Sequence, residues 1–366
     1  VKVDVAVVGG GPVGLAAALE CRARGLSVAV FERRPGADVD KACGEGLMPR
    51  AVRFLERHGA FQRLSPADCS PFTGIRYVSD DGVQATGLLP GSGGLGVRRL
   101  ALRRALRAAA TDAGVQVHEG CTVERFSVTP GAVGLETDAG AVEARLLVGA
   151  DGLHSRVRAG AGLAVKVKEA APRYGLRAHF ARAPWTDKVE VYFSEGAEAY
   201  VTPAGAGRVG LAFLFSKEGN EATRFESLLA RFPVLAEKLA HVPRDSEVMG
   251  AGPLRQQVSA VVADRVALVG DAAGYVDAVT GEGLMLGFEA AESLGRHVVQ
   301  ALRDEATPAA LGGYARDFRL AFLRYAWLTE GLLGIAARPR LRRVVLRGLA
   351  FSPGAFDAAL AMAVGD

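Results

Sequence analysis

The sequence predicts an α/β fold: a parallel sheet built from βαβ units and carrying a β-meander, interleaved with a smaller β-rich domain and followed by a helical C-terminus. Three observations predict it. The β-branched run Val3–Val8 ends in Gly9-Gly10-Gly11-Pro12 and leads through an apolar helical stretch into a second β-branched run, Ser27–Phe31. A strand, helix and strand in that order need a parallel sheet. Strand patterns separated by turn residues then fill Arg173–Phe215, and helical patterns dominate from Glu282 onward.

Taken in order, Pro12–Arg24 reads as a helix, with Pro near its start and Gly25 just past its end. Glu32 ends the second strand. Arg33 to Leu47 reads as a polar, glycine-bearing loop and Pro49–His58 as a short helix. Gly74–Val78 and Val83–Leu88 are strands around the turn Asp80-Asp81-Gly82. Arg99–Ala113 is helical, with Leu102 and Leu106 on one face. Val115–His118 and Arg145–Gly149 are strands, with a meander over Thr122–Thr129 and Val133–Glu143 between them. Tyr174–Phe180, Lys188–Phe193, Glu198–Thr202 and Arg208–Phe215 make the second β-region, and Phe225–Leu239 is a helix with a break at Pro233. Gly252–Val262 and Arg265–Val269 return to the first domain, and Glu282–Arg303 is a long helix. The expected division is 1–67, 96–165 and 252–310 for the first domain, 68–95 and 166–251 for the second, and 311–366 for the helical tail.

The 366 residues are 49% hydrophobic and 23% charged, an ordinary globular balance that excludes a disordered chain. A net charge of +4 is too small to point to nucleic acid. Cys21, Cys43, Cys69 and Cys121 form no CxxC pair, which suits reduced thiols and a cytoplasmic location. The histidines show no metal-ligand spacing, so no metal is expected. The uncharged Val5–Leu19 could suggest an export signal, but Asp4 and the glycine cluster fit a strand, turn and helix better.

Gly9, Gly11 and Gly14 satisfy GxGxxG, with Pro12 and Val13 opening the helix. Gly9 permits the tight turn, Gly11 lets backbone approach a pyrophosphate, and Gly14 lets the helix pack on the strand. The helix N-terminus then faces the phosphates with free N–H groups. Glu32, followed by Arg33, ends the next strand where a carboxylate accepts hydrogen bonds from ribose hydroxyls and repels a 2′-phosphate. Two further motifs follow strands: Asp151-Gly152-x-x-Ser155-x-x-Arg158 and Gly270-Asp271. Asp is common in turns and at helix N-caps, so each alone also reads as local structure.

Together, in this order, the three motifs resemble the flavoprotein superfamily of single-component aromatic hydroxylases, geranylgeranyl reductases and flavin-dependent halogenases. The resemblance implies a Rossmann-like FAD-binding domain holding non-covalent FAD. Asp271 would hold a ribityl hydroxyl, Asp151 would lie near the diphosphate and the nicotinamide path, and Arg99 would reach the FAD. In Thr280-Gly281-Glu282-Gly283, Gly281 and Gly283 allow backbone close to a flat ring, and the helix start would stabilise negative charge on reduced flavin. Gly274 and Ala278 stand where aromatic hydroxylases usually have His and Pro. Lys41-Ala42-Cys43-Gly44-Glu45-Gly46-Leu47 resembles the cysteine-glycine loop of the reductase branch. Cys43, Gly44 and Gly46 are therefore the candidates nearest the ring, with a buried structural thiol an equally good reading of Cys43.

On the substrate side, Tyr192, Tyr200, Thr202, Pro203 and Phe213 are candidates, with core packing an equal alternative for each. No nucleophile constellation appears, as expected where a flavin carries the chemistry. The leading expectation is an FAD-dependent monooxygenase. It would hydroxylate or epoxidise a hydrophobic or aromatic small molecule of secondary metabolism with O2, through a flavin C4a-hydroperoxide. The first rival is a reductase saturating prenyl double bonds, and the second a non-catalytic electron carrier. NAD(P)H or a separate flavin reductase would supply electrons. From Gly331 to Phe356 arginines interleave with apolar residues and no acid occurs. Such a helix lies on an anionic membrane or, more commonly, packs solvated on the FAD domain.

Overall fold

The computed structural model describes residues 2–36, 40–167, 169, 171–217 and 223–364. Of the expected Arg33–Leu47 loop, residues 37–39 lie outside the described residues. Five strands run parallel in the spatial order Val266–Leu268, Gly140–Gly149, Lys2–Val8, Val28–Glu32 and Gln116–Glu119. All five residues of Val28–Glu32 are buried, as a parallel strand covered on both faces requires. Strand Gly140–Gly149 serves two roles. Its second half pairs with Lys2–Val8, while its first half pairs antiparallel with Ala132–Thr137, which pairs with Val123–Thr129 to complete the meander. Helix Pro12–Ala23 packs against both Arg99–Asp112 and the long helix Gly283–Arg303.

The second sheet has seven strands in the order Met249–Ala251, Arg173–Phe180, Val209–Ser216, Ala197–Pro203, Lys188–Ser194, Gly74–Val78 and Gln84–Leu88. Only the pair Lys188–Ser194 and Gly74–Val78 is parallel. One face buries Phe180, Phe213, Phe215, Phe225 and Phe232. Helices Phe225–Leu229 and Pro233–Leu239 cover it, and the interruption falls at Pro233, which lacks the N–H to continue a helix.

The chain crosses into this sheet twice, each time through a closed neck. Cys69 pairs with Val97, and Arg98 N donates to Asp68 O at 3.0 Å. Val165 pairs with Gln257 and Ala164 with Val258. Each excursion therefore ends where it began.

The tail differs from expectation. Helix Gly312–Ala336 packs on Gly283–Arg303 of the first domain, but Pro339–Phe351 and Pro353–Val364 pack on the second sheet at Gln84–Leu88. The cause is local. Asp80 and Asp81 draw Arg343 and Arg347 to 3.1 and 3.0 Å, and Phe356 and Leu360 occupy the space a side chain at Gly87 would fill. Among the described residues no single helix is long and apolar enough to cross a membrane; Gly312–Ala336 and Pro339–Phe351 pass that test only as a pair bent by 110°.

Candidate functional site

The first strand ends in the glycine turn. Gly9 has φ +110°, open to glycine alone, and a Cβ on Gly14 would lie 1.9 Å from Gly9 O, so helix and turn touch backbone to backbone. Pro12 opens the helix at a position whose N–H has no helical partner. Glu32 is buried. Its Oε2 accepts from Gly10 N at 2.9 Å and its Oε1 from Arg34 N at 3.0 Å. Arg103, which the motif reading missed, is also buried; its Nε donates to Gly10 O at 3.0 Å and its Nη2 to Glu119 Oε1 at 2.7 Å. Carboxylate and guanidinium thus grip the same turn from both sides. Arg33 is not part of this grip: it is exposed where the strand emerges from the sheet.

The second and third motifs prove to be joined. The Asp151 carboxylate accepts from Ser155 Oγ and from the amides of Arg156 and Val157, at 2.7 and 3.2 Å for the amides. It caps the short helix Arg156–Gly160 and, unlike Ala150, Gly152 and Leu153, does not line the central cavity. The expected cofactor contact of Asp151 is therefore corrected to a capping role. Arg158 is buried and donates to Leu153 O at 2.6 Å, Gln256 Oε1 at 2.8 Å, and the carbonyls of Asp271 and Ala272 at 3.3 and 3.2 Å. It staples the third motif to the second. The Asp271 carboxylate is left facing the cavity, where Lys41 Nζ meets it at 3.0 Å.

Lys41 belongs to the cysteine-glycine loop, and the second sheet holds that loop down. Arg177 Nη2 donates to Asp40 Oδ1 at 2.5 Å and to Lys41 O at 3.0 Å. Thr202 Oγ1 donates to Gly44 O at 2.9 Å. Glu45 takes a left-handed backbone, φ +60°. Its Oε2 lies 2.5 Å from Nε2 of the fully buried His179, and its Oε1 accepts from Arg99 N at 2.9 Å. One carboxylate thus ties the loop, the start of the Arg99 helix and the second sheet together. Cys43, Gly44 and Gly46 all line the cavity, as do Gly270, Gly281 and Gly283 from the opposite side.

The wall contributed by the second sheet is rich in aliphatic side chains: Ile75, Leu176, Val189, Val191 and Leu214 line it beside Tyr77, Thr202 and Phe213. Tyr200 also lines it and donates its hydroxyl to Val279 O at 3.0 Å; burial pushes its phenol well above the usual range. Two of the five substrate candidates, Tyr192 and Pro203, are placed outside the cavity lining by strand alternation. Tyr192 points to the far face, where its hydroxyl reaches Glu190 Oε2 at 2.8 Å. Phe213 borders the cavity, but its ring packs against Phe225 and Phe232, with centroids 4.9 and 5.7 Å away. Pro203 is buried one residue out of phase with Tyr200 and Thr202, outside the cavity lining.

FAD fits this space. A Cβ on Gly11 would meet only Arg99 Nη2, at 3.7 Å, and one on Gly44 would meet nothing within 4 Å, so bare backbone borders open room at both ends of the cavity. Gly11, Pro12, Val13 and Arg99 would hold the diphosphate, Glu32 the adenosine ribose, and Asp271 the ribityl chain. A cradle of this kind, at the carboxyl ends of a parallel sheet and closed by a second domain, belongs to FAD-dependent oxidoreductases. Residues 2–323 match the FAD binding domain family, and the chain belongs to that family. The menaquinone reductase of Mycobacterium tuberculosis is 30% identical over 78% of this chain and 74% of its own. Digeranylgeranylglycerophospholipid reductase 2 of Methanopyrus kandleri is 27% identical over 84% of this chain and 79% of its own. A flavoprotein/dehydrogenase structure from Cytophaga hutchinsonii superposes with a TM-score of 0.84 at 18% identity, covering 99% of this chain and 92% of that one. A probable FAD-dependent monooxygenase from Pseudomonas aeruginosa superposes with a TM-score of 0.76 at 23% identity, covering 95% and 99%.

Proposed function

We infer that this chain is an FAD-dependent reductase that saturates a double bond in the prenyl chain of a lipophilic acceptor. The observation that carries it is the aliphatic wall of Ile75, Leu176, Val189, Val191 and Leu214 facing the cysteine-glycine loop. Such a surface suits an isoprenoid chain, which offers no polar group to grip and must be held by area alone. The reductases among its relatives support the same reading.

When bound and reduced, FAD supplies hydride to one alkene carbon. The chain's own residues do the rest. Thr202 and Arg177 hold the loop that closes one side of the cavity, so that water is kept from the reacting carbons. The other alkene carbon needs a proton, and Cys43, Tyr77, Tyr200 and Tyr275 border the cavity with a thiol or phenol group. Electrons come from NAD(P)H visiting transiently or from a separate flavin reductase.

Tyr77, Tyr200 and Tyr275 around the same cavity favour a second reading, insertion of one oxygen atom from O2 into an aromatic substrate. That reading is the leading expectation from the sequence; the aliphatic residues of the wall and the reductases among the relatives support the prenyl reductase instead. The test reduces the protein anaerobically and adds a prenylated quinone or a geranylgeranyl lipid. Flavin reoxidation without oxygen and a product carrying two added hydrogens are expected. Turnover that requires O2 and places ¹⁸O from O2 in the product would establish the second reading instead.

A further inference from the structure

Of the eleven exposed large apolar side chains among the described residues, seven lie between Leu320 and Met362. Trp327 is 75% exposed and Phe351 93%. They are not scattered. At about 100° per residue, Arg316, Arg319, Leu320, Leu323 and Trp327 share an arc of about 100° on Gly312–Ala336. Arg340, Val344, Arg347 and Phe351 share about 60° on Pro339–Phe351. Each outer face is therefore a stripe of apolar residues with arginines among them, joined on the first helix by Glu330, whose charge Arg255 meets.

The charge on these stripes is unbalanced. Arg316, Arg319 and Arg340 have no ion-pair partner among the described residues. Nearby acids are engaged elsewhere: Glu330 binds Arg255 at 2.7 Å, and Asp317 binds His297 and Arg296, each at 3.0 Å. The inner side of the same helix matters too. Leu332 and Leu333 pack on Leu153, Leu214, Leu254 and Val279, which line the cavity.

We propose that the outer faces of Gly312–Ala336 and Pro339–Phe351 dock on the surface of an anionic lipid bilayer. Trp327 and Phe351 enter the headgroup boundary, and Arg316, Arg319 and Arg340 lie over lipid phosphates. Aromatic and basic groups on one helix face match that boundary, which is apolar below and anionic above. A second copy of the chain is the rival occupant. A two-fold contact through this patch brings unpaired arginines against one another, which charge complementarity disfavours. The docked helix also packs, through Leu332 and Leu333, on residues that line the cavity.

The test is cosedimentation of the FAD-loaded protein with vesicles of phosphatidylglycerol and phosphatidylcholine at low salt. Binding is expected, with release at high salt and much weaker binding to phosphatidylcholine alone. Replacing Arg316, Arg319 and Arg340 together by Glu should weaken binding by about a hundredfold or more while bound flavin and far-UV circular dichroism stay unchanged. The chain has two tryptophans, so the blue shift in emission on adding vesicles should disappear in Trp327→Phe. Failure to sediment at low salt, or equal binding by the triple variant, overturns the proposal. A dimer in light scattering that Trp327→Glu dissociates assigns the face to a second copy and overturns it as well.

Discussion

The glycine turn and the wall of the second sheet face one another across a single cavity and are made of different material. The turn is backbone. Its shape depends on side chains being absent at Gly9, Gly10 and Gly14, and on Glu32 and Arg103 gripping Gly10. The wall is side chain. Ile75, Val189, Val191 and Leu214 come from three strands and line the cavity with aliphatic side chains. Backbone recognition is intolerant of any added atom and indifferent to what the ligand's far end looks like. A wall of methyls tolerates exchange of one for another and defines what fits. The cofactor is thus held by features that cannot drift, and the substrate by features that can.

The sharpest test of this contrast is Gly11→Val. Room exists for its first carbon, so the chain should fold, but the branches fill the space a diphosphate needs. FAD affinity should fall at least a thousandfold, about 4 kcal/mol, and the purified protein should be colourless. A yellow Gly11→Val protein would break the contrast. Arg158→Met comes next. It leaves four acceptors without their donor, those of Leu153 and Ala272 buried, and should cost roughly 3 kcal/mol of stability, read as the urea midpoint with and without FAD.

Glu282 sharpens the contrast on the cradle side. It sits between cavity-lining glycines but is buried itself, and burial pushes its carboxyl up to about 7, with Arg324 opposing. The folded protein keeps a proton there that the unfolded chain has already released. Stability should therefore fall as pH rises from about 4.5 to about 7 and stay level above, a change of about 3 kcal/mol. Glu282→Gln should remove that slope in denaturant titrations of the apoprotein. The smallest effect belongs to the wall. Val191→Thr keeps the shape and puts a hydroxyl where a methyl stood. It should weaken a lipophilic substrate by about 1–2 kcal/mol, seen as a raised KM, and leave FAD titrations unchanged.

The cradle was legible because its parts are close in sequence: Gly9 to Gly14 is one turn, and Glu32 ends the very next strand. The second and third motifs were recognised as motifs, but the partners of their side chains were not. Asp151 serves the helix that follows it, and Arg158, not Asp151, makes the connection to Asp271. The pairing of Glu45 with His179 spans 134 residues and carries no local signal. On the wall, alternation alone separates Tyr200 and Thr202 from Pro203. Placing Tyr192 on the far face needs the register between strands, Tyr192 opposite Ala199, which no single strand reveals.

The two closed necks, Cys69 with Val97 and Val165 with Gln257, have a consequence for how such a protein changes over time. Each excursion leaves and rejoins the first domain at adjacent residues, so its attachment asks little of what lies between. A segment bounded this way is a cassette. It can lengthen, shorten or be exchanged for another without moving the ends that the flavin-binding half must join. Grafting residues 70–96 and 166–256 as a pair from a relative onto this chain is accordingly the natural unit of recombination, since the two cassettes share one sheet through Gly74–Val78 and Lys188–Ser194 and only make a floor together.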